Sequence, residues 1–462
     1  MRNGKNPDQH SVNLCVITQF YPPDYAATGQ LIEELVSYLA KHGVHIQVFT
    51  GQPGYAFEKQ SAATVEYVHQ TLVRRSRTAR LWPQRIRGKA LNGLLFALRS
   101  VLHLFRIAPQ RNILLVTTAP PYLPFLGYVA NVCFGLPYLC ILYDLYPDVA
   151  VELKVIEPDH GLTRLWNSMN RKVWRRAESL IVLSSTMQDR ITKACPEVAD
   201  KISVIHSWAN PDWILPINKV DNWFAHQYNL VHKFTVLYSG NMGRCHDIET
   251  ILDTITLLRD EPVQFVFIGG GAKRQSCITE VKSLGLQNCL FLPYQDKQVI
   301  PYSLTACDLS LVSIGPDMEG LIAPSKFYGS LAAGRPIAAI CASHSYLRPI
   351  IADARCGATF DIGDSQGLAA FIQCLMADAD LCQRMGLAGR QYLESHFTLD
   401  IIGKKYLHLL RTTAKTIAHN DYEAEMPINT NGNGNGSPHG HDRGISSTKP
   451  SLTQRLAKWP RH

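Results

Sequence analysis

The stretch from Glu319 to Pro336 reads EGLIAPSKFYGSLAAGRP, and it is the most informative segment of the chain. It lies between two apolar segments of strand length, residues 309–314 and residues 337–340. Its first half is a loop of small residues. Its second half predicts a short helix, because glycine and proline follow as helix stop signals. Strands that alternate with helices in this way indicate parallel sheets in a doubly wound α/β fold.

The same stretch suits the binding of an anion beside hydroxyl groups. A glycine-bearing loop that leads into a helix exposes unpaired backbone N–H groups at the positive end of the helix dipole. Lys326 adds a full positive charge in the first turn, and Glu319 can accept hydrogen bonds from hydroxyl groups. A phosphate beside a polyol describes a sugar nucleotide. On this stretch alone, an ordinary strand–loop–helix unit with solvated polar residues is an equally good interpretation.

The stretch resembles the donor-site signature of retaining glycosyltransferases of the family-4 type. It is most similar to the exopolysaccharide subgroup with colanic-acid-type transferases, where the segment reads Pro-Ser-Lys-x-Tyr-x-x-x-Ala-Ala-Gly-x-Pro. The resemblance implies GT-B architecture, an α/β fold in which two doubly wound Rossmann-like domains face each other across a cleft. It covers the chain from Leu14 to about Ala414.

One position departs from the family pattern. The family carries two glutamates, and the second of them binds the ribose of the nucleotide. Gly329 occupies that second position, so ribose recognition must come from elsewhere in the chain. Glu319 lies slightly upstream of the first position and is the candidate for contact with the donor sugar.

Two further glycine loops follow strands in the second half of the chain. Residues 239–246 read SGNMGRCH, whose glycines let the backbone approach a pyrophosphate that Arg244 can bind bidentately. Residues 269–274 form a similar turn with Lys273 as a further phosphate ligand, and residues 290–294 resemble the segment that lines the nucleotide base. The predicted donor-binding residues are Gly240, Asn241, Gly243, Arg244, Lys273, Leu292, Tyr294, Glu319, Gly320, Leu321, Ser325 and Lys326.

The first half supplies an acceptor loop and an acidic element. Residues 19–29 follow the first strand and resemble the acceptor-side glycine loop of the family, with Thr28 and Gly29 as acceptor contacts. A tight strand-to-helix turn would also favour glycine here. Asp144 follows a strand at the sheet edge where such folds bind ligands. It is the candidate for orienting the acceptor hydroxyl or stabilising the oxocarbenium charge. The predicted catalytic residues are Asp144, Arg244, Glu319 and Lys326.

The length of 462 residues predicts two domains. The resemblance implies that residues 1–215 form an acceptor-binding Rossmann-like domain and that residues 216–397 form a nucleotide-sugar-binding one. Residues 398–418 form a helix that returns towards the first domain. Residues 419–462 are rich in Asn, Gly, Ser, Pro and His. We expect this tail to be disordered, because it cannot bury enough apolar surface.

A segment without acidic residues extends from Tyr67 to Tyr143. Basic and apolar residues interleave in it, which predicts contact with the cytoplasmic surface of an anionic membrane. A solvated face, a phosphate-binding patch for the acceptor and a core helix over residues 94–105 are the alternatives. Nucleic acid is not favoured, because no binding motif accompanies the charge. Prolines interrupt residues 112–143, so we expect no membrane span. The basic residues are Arg74, Arg75, Arg77, Arg80, Arg85, Arg87, Lys89, Arg99, Arg106 and Arg111.

The twelve cysteines are scattered, with no Cys-x-x-Cys pair and no His/Cys cluster of metal-ligand spacing. This pattern predicts a reducing, cytosolic compartment, and it predicts neither a metal site nor a cofactor. The polar amino terminus shows no export signal.

Together these observations predict a cytoplasmic, metal-independent, hexosyltransferase-like enzyme that is peripheral on the inner face of the cell membrane. The resemblance implies that its donor is a UDP- or GDP-sugar and that its acceptor is a lipid-linked saccharide in exopolysaccharide or other cell-surface glycan synthesis. A sugar-nucleotide epimerase of the same fold is one alternative. A non-catalytic assembly subunit is the other, favoured by Gly329.

Overall fold

The computed structural model describes residues 12–23, 27–53, 62–76, 86–107 and 112–425, with the side chains of all of these except residues 27, 86–91 and 420–425. The described residues form two sheets, and the strands of both alternate with helices along the chain. This alternation confirms the predicted α/β fold with two Rossmann-like domains.

The first sheet lies in the amino-terminal half of the chain. Its strands are β1 (Asn13–Ile17), β2 (His45–Thr50), β3 (Val65–Val68), β4 (Thr71–Arg75), β5 (Ile113–Thr117), β6 (Tyr138–Leu142), β7 (Ser179–Val182) and β8 (Ile202–Val204). Their order is β3-β4-β2-β1-β5-β6-β7-β8, and all neighbours are parallel except β3 and β4. Every residue of β5 and β6 is buried. Their uninterrupted apolar sequence follows from this, because helices cover both faces of the sheet.

The second sheet has the strand order of a dinucleotide-binding fold. Its strands are β9 (Phe234–Ser239), β10 (Val263–Ile268), β11 (Cys289–Leu292), β12 (Leu309–Ser313), β13 (Ile337–Ile340) and β14 (Gly357–Phe360). They are all parallel and lie in the order β11-β10-β9-β12-β13-β14. The order reverses between β9 and β12. In doubly wound sheets the ligand crevice lies beyond the carboxyl ends of the strands at that point.

Helices cover both sheets and close the domains. In the first domain they are α1 (Ala27–Lys41), α2 (Ile86–Ile107), α3 (Leu123–Phe134), α4 (Asp148–Glu152), α5 (Gly161–Arg176) and α6 (Ser185–Ala194). After the connection come α7 (Trp223–Gln227), α8 (Glu249–Leu257), α9 (Arg274–Ser283), α10 (Ile300–Thr305), α11 (Lys326–Ala332), α12 (Leu347–Ala354), α13 (Ser365–Ala377), α14 (Ala379–His396) and α15 (Leu399–Glu425).

The last helix returns to the first domain. Helix α15 packs on α1, where Tyr38 Oη donates a hydrogen bond to the carboxylate of Asp400 at 3.2 Å. Gly403 permits this packing, because a Cβ there would lie 2.5 Å from the Tyr38 ring. The helix continues to Glu425, so the predicted disordered tail starts too early at residue 419. Residues 426–462 lie outside the described residues.

The chain crosses between the domains twice, and the two crossings are adjacent. The first crossing follows β8, and the second joins α14 to α15. The backbone N–H of Ala209 in the first donates to the carbonyl of Phe397 in the second at 3.2 Å. The two connecting segments are therefore hydrogen-bonded to each other.

Helix α2 has a buried face and an exposed apolar face. Phe96, Leu104 and Ile107 are at most 2% exposed and contribute to the core. The opposite side is apolar as well, and its residues are more than half exposed. They recur at i, i+4, i+8 and i+11, which is one face of a helix. We call them the α2 apolar face: Leu94, Leu98, Leu102 and Phe105. The core-helix interpretation of this segment therefore explains only half of its apolar residues.

One residue of the predicted basic surface is buried. The guanidinium of Arg75 pairs with Glu66 and donates to the carbonyl oxygens of Pro22 and Ala63. It holds the loop after β1 in place instead of contributing to a charged surface. Arg74 and Arg106 are exposed as expected, and Arg99 is half-buried. The side chains of the other basic residues of the segment lie outside the described residues.

Candidate active site

A cavity of about 570 Å³ lies between the two domains. Helix α1 and the loop after β6 line it from the first domain, and the connecting residues 208–214 close one side. From the second domain it is lined by residues of β9 and β12, the loop after β9, and the residues that enter α11. The cavity therefore lies at the point where the strand order of the second sheet reverses, as expected for a ligand site in this fold.

Two glycine loops build one wall of the cavity. Gly240 lines it with a φ of +129°, and its backbone N–H donates to the carbonyl of Ile268 at 2.8 Å. The loop after β10 lies directly behind. A Cβ on Gly269 would lie only 2.1 Å from the carbonyl oxygen of Gly240. The second loop therefore needs glycine because it supports the first, whose backbone faces the cavity.

Lys326 is a cation held in a desolvated position. Its Nζ donates a hydrogen bond to Tyr238 Oη at 2.5 Å and lies 3.8 Å from the centroid of that ring. Tyr238 Oη in turn donates to the carbonyl of Asn241 at 3.2 Å. Burial lowers the pKa of Lys326 from 10.5 to about 7. A bound anion would restore the charge and compensate for the lost hydration. In the part of the chain that the structure describes, no other lysine or arginine lines the cavity.

His246 lines the cavity beside Lys326 in its neutral form. Its Nδ1 lies 2.8 Å from the carbonyl oxygen of Ser313, which can only accept, so Nδ1 carries the proton. Burial and the nearby Lys326 charge lower the pKa of His246 to about 3. The ring therefore offers Nε2 as a neutral hydrogen-bond acceptor and contributes no charge at physiological pH.

Asp144 brings a carboxylate from the first domain to the same cavity. Its backbone forms an isolated bridge with Ile322, and Thr118 Oγ1 accepts hydrogen bonds from the N–H groups of Tyr143 and Asp144 at 2.9 and 3.3 Å. Burial raises the pKa of Asp144 to about 6. The cavity therefore combines one acidic and one basic group from different domains, and both titrate near neutrality.

Two family models match successive parts of the chain. Residues 27–208 match the "Glycosyl transferase 4-like domain", and residues 221–392 match "Glycosyl transferases group 1". The chain is a glycosyltransferase with one domain of each type.

Two curated relatives cover most of the same region. WbjE, a probable glycosyltransferase from Pseudomonas aeruginosa, is 27% identical over 310 residues, which are 66% of this chain and 75% of WbjE. WcaI from Escherichia coli, whose description names colanic acid biosynthesis, is 25% identical over 332 residues, or 68% and 79% of the two chains.

Solved structures share the fold of this glycosyltransferase. Sucrose-phosphate synthase from Thermosynechococcus elongatus has a TM-score of 0.71 at 18% identity, covering 88% of this chain and 100% of that chain. HepE from Anabaena, in complex with UDP and glucose, has a TM-score of 0.63 at 14% identity with the same coverages. Another HepE structure contains UDP-glucose. At these identities the likeness establishes the GT-B fold alone.

The cavity of the glycosyltransferase brings together about half of the predicted site. The predicted residues that line it are Asp144, Gly240, Asn241, Gly243, Tyr294, Ser325 and Lys326.

Both other predicted phosphate ligands point away from the cavity. The guanidinium of Arg244 is exposed and donates to the carbonyl of Leu153 in the first domain at 2.8 Å. The ammonium of Lys273 forms an ion pair with Glu249 at 2.8 Å and donates to the carbonyl of His246. In this structure each of the two side chains has a partner outside the cavity lining, and their phosphate contacts stay predictions.

Glu319 joins the two domains and does not line the cavity. It is 3% exposed, and its Oε1 accepts a hydrogen bond from Thr186 Oγ1 of α6 at 2.7 Å. Arg190 of the same helix donates to the carbonyls of Glu319 and Asp317 at 2.8 and 3.1 Å. The expected sugar contact of Glu319 is therefore replaced by a contact between domains.

The neighbours of Glu319 take part in the same contact. Gly320 has a φ of +74°, and a Cβ there would lie 2.6 Å from the carbonyl oxygen of Thr186. The carbonyl of Leu321 accepts from the N–H of Leu145 at 3.0 Å. These two residues position the loop and lie outside the cavity lining, contrary to their predicted donor contacts.

For the remaining predicted residues, the structure differs from the prediction in where a helix begins or in which side chain of a segment reaches the cavity. Helix α1 begins at Ala27, so Thr28 and Gly29 lie in its first turn instead of the preceding loop, and neither lines the cavity. Gly29 packs on the backbone, since its Cβ would lie 3.0 Å from the carbonyl carbon of Phe20. Leu292 is buried at the end of β11, while Tyr294 beyond it reaches the cavity.

The cavity also contains residues that the sequence did not identify. Glu34 projects from α1, and its Oε2 accepts a hydrogen bond from Trp208 Nε1 at 2.7 Å. Trp213 lines the cavity from the connecting segment, and Lys297 Nζ lies 5.8 Å from its ring centroid. Among the described residues, no group of three or more His, Cys, Asp or Glu side chains could hold a metal ion.

Proposed function

We propose that this glycosyltransferase transfers a sugar from a nucleoside-diphosphate sugar, with UDP or GDP as the carrier, to a saccharide acceptor with retention of configuration. The observation that carries the proposal is the Lys326 ammonium beside the Gly240 loop, with the Asp144 carboxylate on the other domain's side of the cavity. The UDP and UDP-glucose in the HepE structures support the choice of donor.

The reaction is a front-face displacement. The acceptor hydroxyl attacks the anomeric carbon on the face from which the diphosphate departs, and the electron pair of the breaking C–O bond goes to the diphosphate. The departing phosphate oxygen takes the proton of the acceptor hydroxyl. Lys326 stabilises the leaving group, since a preorganised donor acts strongly where charge develops. Its ammonium supplies the charge that a divalent metal ion supplies in other transferases.

Asp144 acts on the other side of the reacting carbon. Its carboxylate is ionised above its pKa of about 6. Because it comes from the first domain, it is suited to orient the acceptor hydroxyl and to stabilise the positive charge that develops on the donor sugar.

The acceptor is a lipid-linked saccharide, and the product belongs to exopolysaccharide or another cell-surface glycan. The description of WcaI, which names colanic acid biosynthesis, supports this choice. The reaction takes place on the cytoplasmic side, in keeping with twelve cysteines that are all free. In the part of the chain that the structure describes, no helix is both long enough and apolar enough to cross a membrane.

The α2 apolar face supports peripheral contact with an anionic membrane. Its four side chains are 54–62% exposed. On α3, which packs against α2, Val129 and Val132 are also partly exposed, at 38% and 39%. Arg106 is exposed beside it, and the sequence from Tyr67 to Tyr143 contains no acidic residue. An apolar face among basic residues is suited to insert between anionic lipid headgroups.

Changing Leu98 and Leu102 together to Gln is expected to lower binding to anionic vesicles at least tenfold, because two inserted side chains lose their apolar environment. Co-sedimentation with phosphatidylglycerol vesicles measures the effect. Leu257→Gln is the matched control, since Leu257 is 52% exposed on α8 of the other domain. High salt should weaken binding of the parent, because screening acts within roughly 10 Å at 0.1 M ionic strength. Equal binding by the double variant and the parent would contradict the membrane contact.

The donor is tested by thermal stabilisation with a panel of UDP-, GDP- and ADP-sugars. A ligand that binds only the folded state raises the unfolding free energy by about 2.7 kcal/mol at a hundredfold excess over its Kd. We expect a UDP- or GDP-sugar to stabilise the parent and Lys326→Met to lose that stabilisation. If no nucleotide sugar stabilises the parent, the proposed donor is wrong. Donor binding without transfer to any glycan acceptor would instead favour the non-catalytic alternative.

A further inference from the structure

Among the described residues, those of the second domain that line the cavity include no carboxylate. Gly329 of α11 lines the cavity, and a Cβ there would meet only Leu304 Cδ1 at 3.5 Å, which is an ordinary contact. Glycine is therefore not required by packing at this position, and the space beside it belongs to the cavity. Among the residues that the structure describes, the carboxylates that line the cavity are Glu34 and Asp144, and both come from the first domain.

These two carboxylates have different neighbours. Asp144 is bridged to Ile322 and so lies at the loop that precedes α11. Glu34 is bound to Trp208 of the connecting segment. It is also close enough to Lys297 for the ammonium charge to oppose the rise in the pKa of Glu34 that burial causes. Lys297 follows Tyr294 and Gln295 along the chain, and those two residues line the cavity.

The connecting segment binds Glu34 through Trp208, and the same segment is joined to the end of α11 through Arg390. Arg390 Nη1 donates to the carbonyl of Ile214 at 2.8 Å and to the carbonyl of Ala332, in the last turn of α11, at 2.6 Å. Trp208, Trp213 and Gly329 all line the cavity. Glu34 reaches it from the first domain, beside Trp208 of the connecting segment.

The local hydrogen bonding leaves Glu34 suited to bind a diol. Trp208 Nε1 fixes Oε2, which orients the carboxylate and leaves Oε1 as an acceptor for a ligand hydroxyl. A buried carboxylate gains from each hydroxyl that donates to it, because such bonds to a charged group are stronger than neutral ones. The ribose of a nucleotide presents two adjacent hydroxyl groups of this kind.

We infer that Glu34 of the first domain binds the ribose hydroxyls of the donor nucleotide, across the cleft from the empty position at Gly329. The inference rests on the proposed function, since it requires a nucleotide in the cavity. It makes ribose recognition depend on both domains, so a nucleotide gains full affinity only when the cleft is assembled.

The test compares UDP with 2′,3′-dideoxy-UDP, and GDP with its dideoxy analogue, by isothermal titration of the full-length protein. We expect the parent to bind the dideoxy analogue at least tenfold more weakly. Glu34→Gln should reduce this discrimination to about twofold, although its amide oxygen can still accept from Trp208. Glu33→Gln is the matched control, because Glu33 is adjacent on α1 and does not line the cavity. The double variant Glu34→Gln/Gly329→Glu should recover most of the discrimination.

The outcomes separate the inference from the proposed function. If the parent binds neither UDP nor GDP, the proposed function fails. If the parent binds a diphosphate but Glu34→Gln discriminates against the dideoxy analogue as strongly as the parent does, Glu34 does not bind the ribose. An unchanged discrimination together with a raised KM for the acceptor would also overturn the inference, because it assigns Glu34 to the acceptor.

Discussion

Lys326→Met is expected to lower kcat by about 100- to 1,000-fold, the loss of ~2.7–4 kcal/mol that follows removal of a preorganised donor from a developing anion. Methionine keeps the length and apolar character of the stem but removes the charge. Single-turnover assays with the identified donor measure the effect. Lys273→Met is the matched control and should stay within about threefold of the parent, because Lys273 is paired with Glu249 outside the cavity. Activity of Lys326→Met within tenfold of the parent would contradict the assignment.

The same variant should change the pH dependence of the reaction. Lys326 is charged below its pKa of about 7, and Asp144 is ionised above its pKa of about 6. We therefore expect kcat/KM of the parent to fall below pH 6 and above pH 7, since this ratio reports the groups of the free enzyme. In Lys326→Met the fall above pH 7 should be absent.

Stability provides an independent measurement of the buried charge. A lysine in the unfolded chain titrates at 10.5, and Lys326 in the fold at about 7. Between these values the unfolded chain binds the extra proton, so the stability of the parent rises with pH. Lys326→Met should therefore be more stable than the parent at pH 6, by a margin that shrinks at pH 9. If the parent and Lys326→Met have equal melting temperatures at pH 6 and also at pH 9, the ammonium of Lys326 is not desolvated.

Gly269→Ala is expected to lower the free energy of unfolding by about 3 kcal/mol, because it combines backbone strain with overpacking. Gly269 has a φ of +132°, and the added Cβ would lie 2.1 Å from the carbonyl oxygen of Gly240. The loop that faces the cavity must shift to relieve this clash, so donor affinity should fall at least tenfold as well. Urea denaturation and nucleotide titration measure the two effects.

Gly329→Ala is the matched control for this substitution. Gly329 lies in a helix with ordinary space for a Cβ, so alanine should raise the unfolding free energy by up to ~1 kcal/mol. If Gly269→Ala proves as stable as Gly329→Ala, the close approach of the two glycine loops does not exist in solution.

The fold could be predicted because its signals are local. Apolar strands, glycine loops and helix stop signals follow each other along the chain, and each depends on neighbouring residues only. The positions of Lys326, Gly240 and Asp144 at the cavity could be predicted in the same way. Each of them follows a strand or begins a helix at the edge of a sheet where such folds bind ligands. The strands, loops and helix that carry these residues could therefore be identified from the sequence.

The directions of the long side chains could not be predicted. Arg244 follows a glycine just as a phosphate ligand would, yet it donates to Leu153 of the other domain. Glu319 was chosen for sugar contact and instead accepts from Thr186, 133 residues earlier in the chain. Glu34 lies in the middle of an amphipathic helix. Only its contact with Trp208, 174 residues away, identifies it as a candidate site residue. Such contacts depend on the packing of whole domains.

The paired crossings between the domains limit how the molecule can move. The bond between Ala209 and Phe397 keeps both connecting segments on one side of the cleft. Two rigid domains joined along one edge move most easily by a hinge rotation about that edge. The side chains of Thr186 and Arg190 bind the loop at Glu319 across the two domains, and the N–H of Leu145 binds the carbonyl of Leu321 beside them. A rotation of the domains must break these hydrogen bonds. A donor can therefore enter and a product leave at the expense of a few exchangeable hydrogen bonds, while both crossings stay intact.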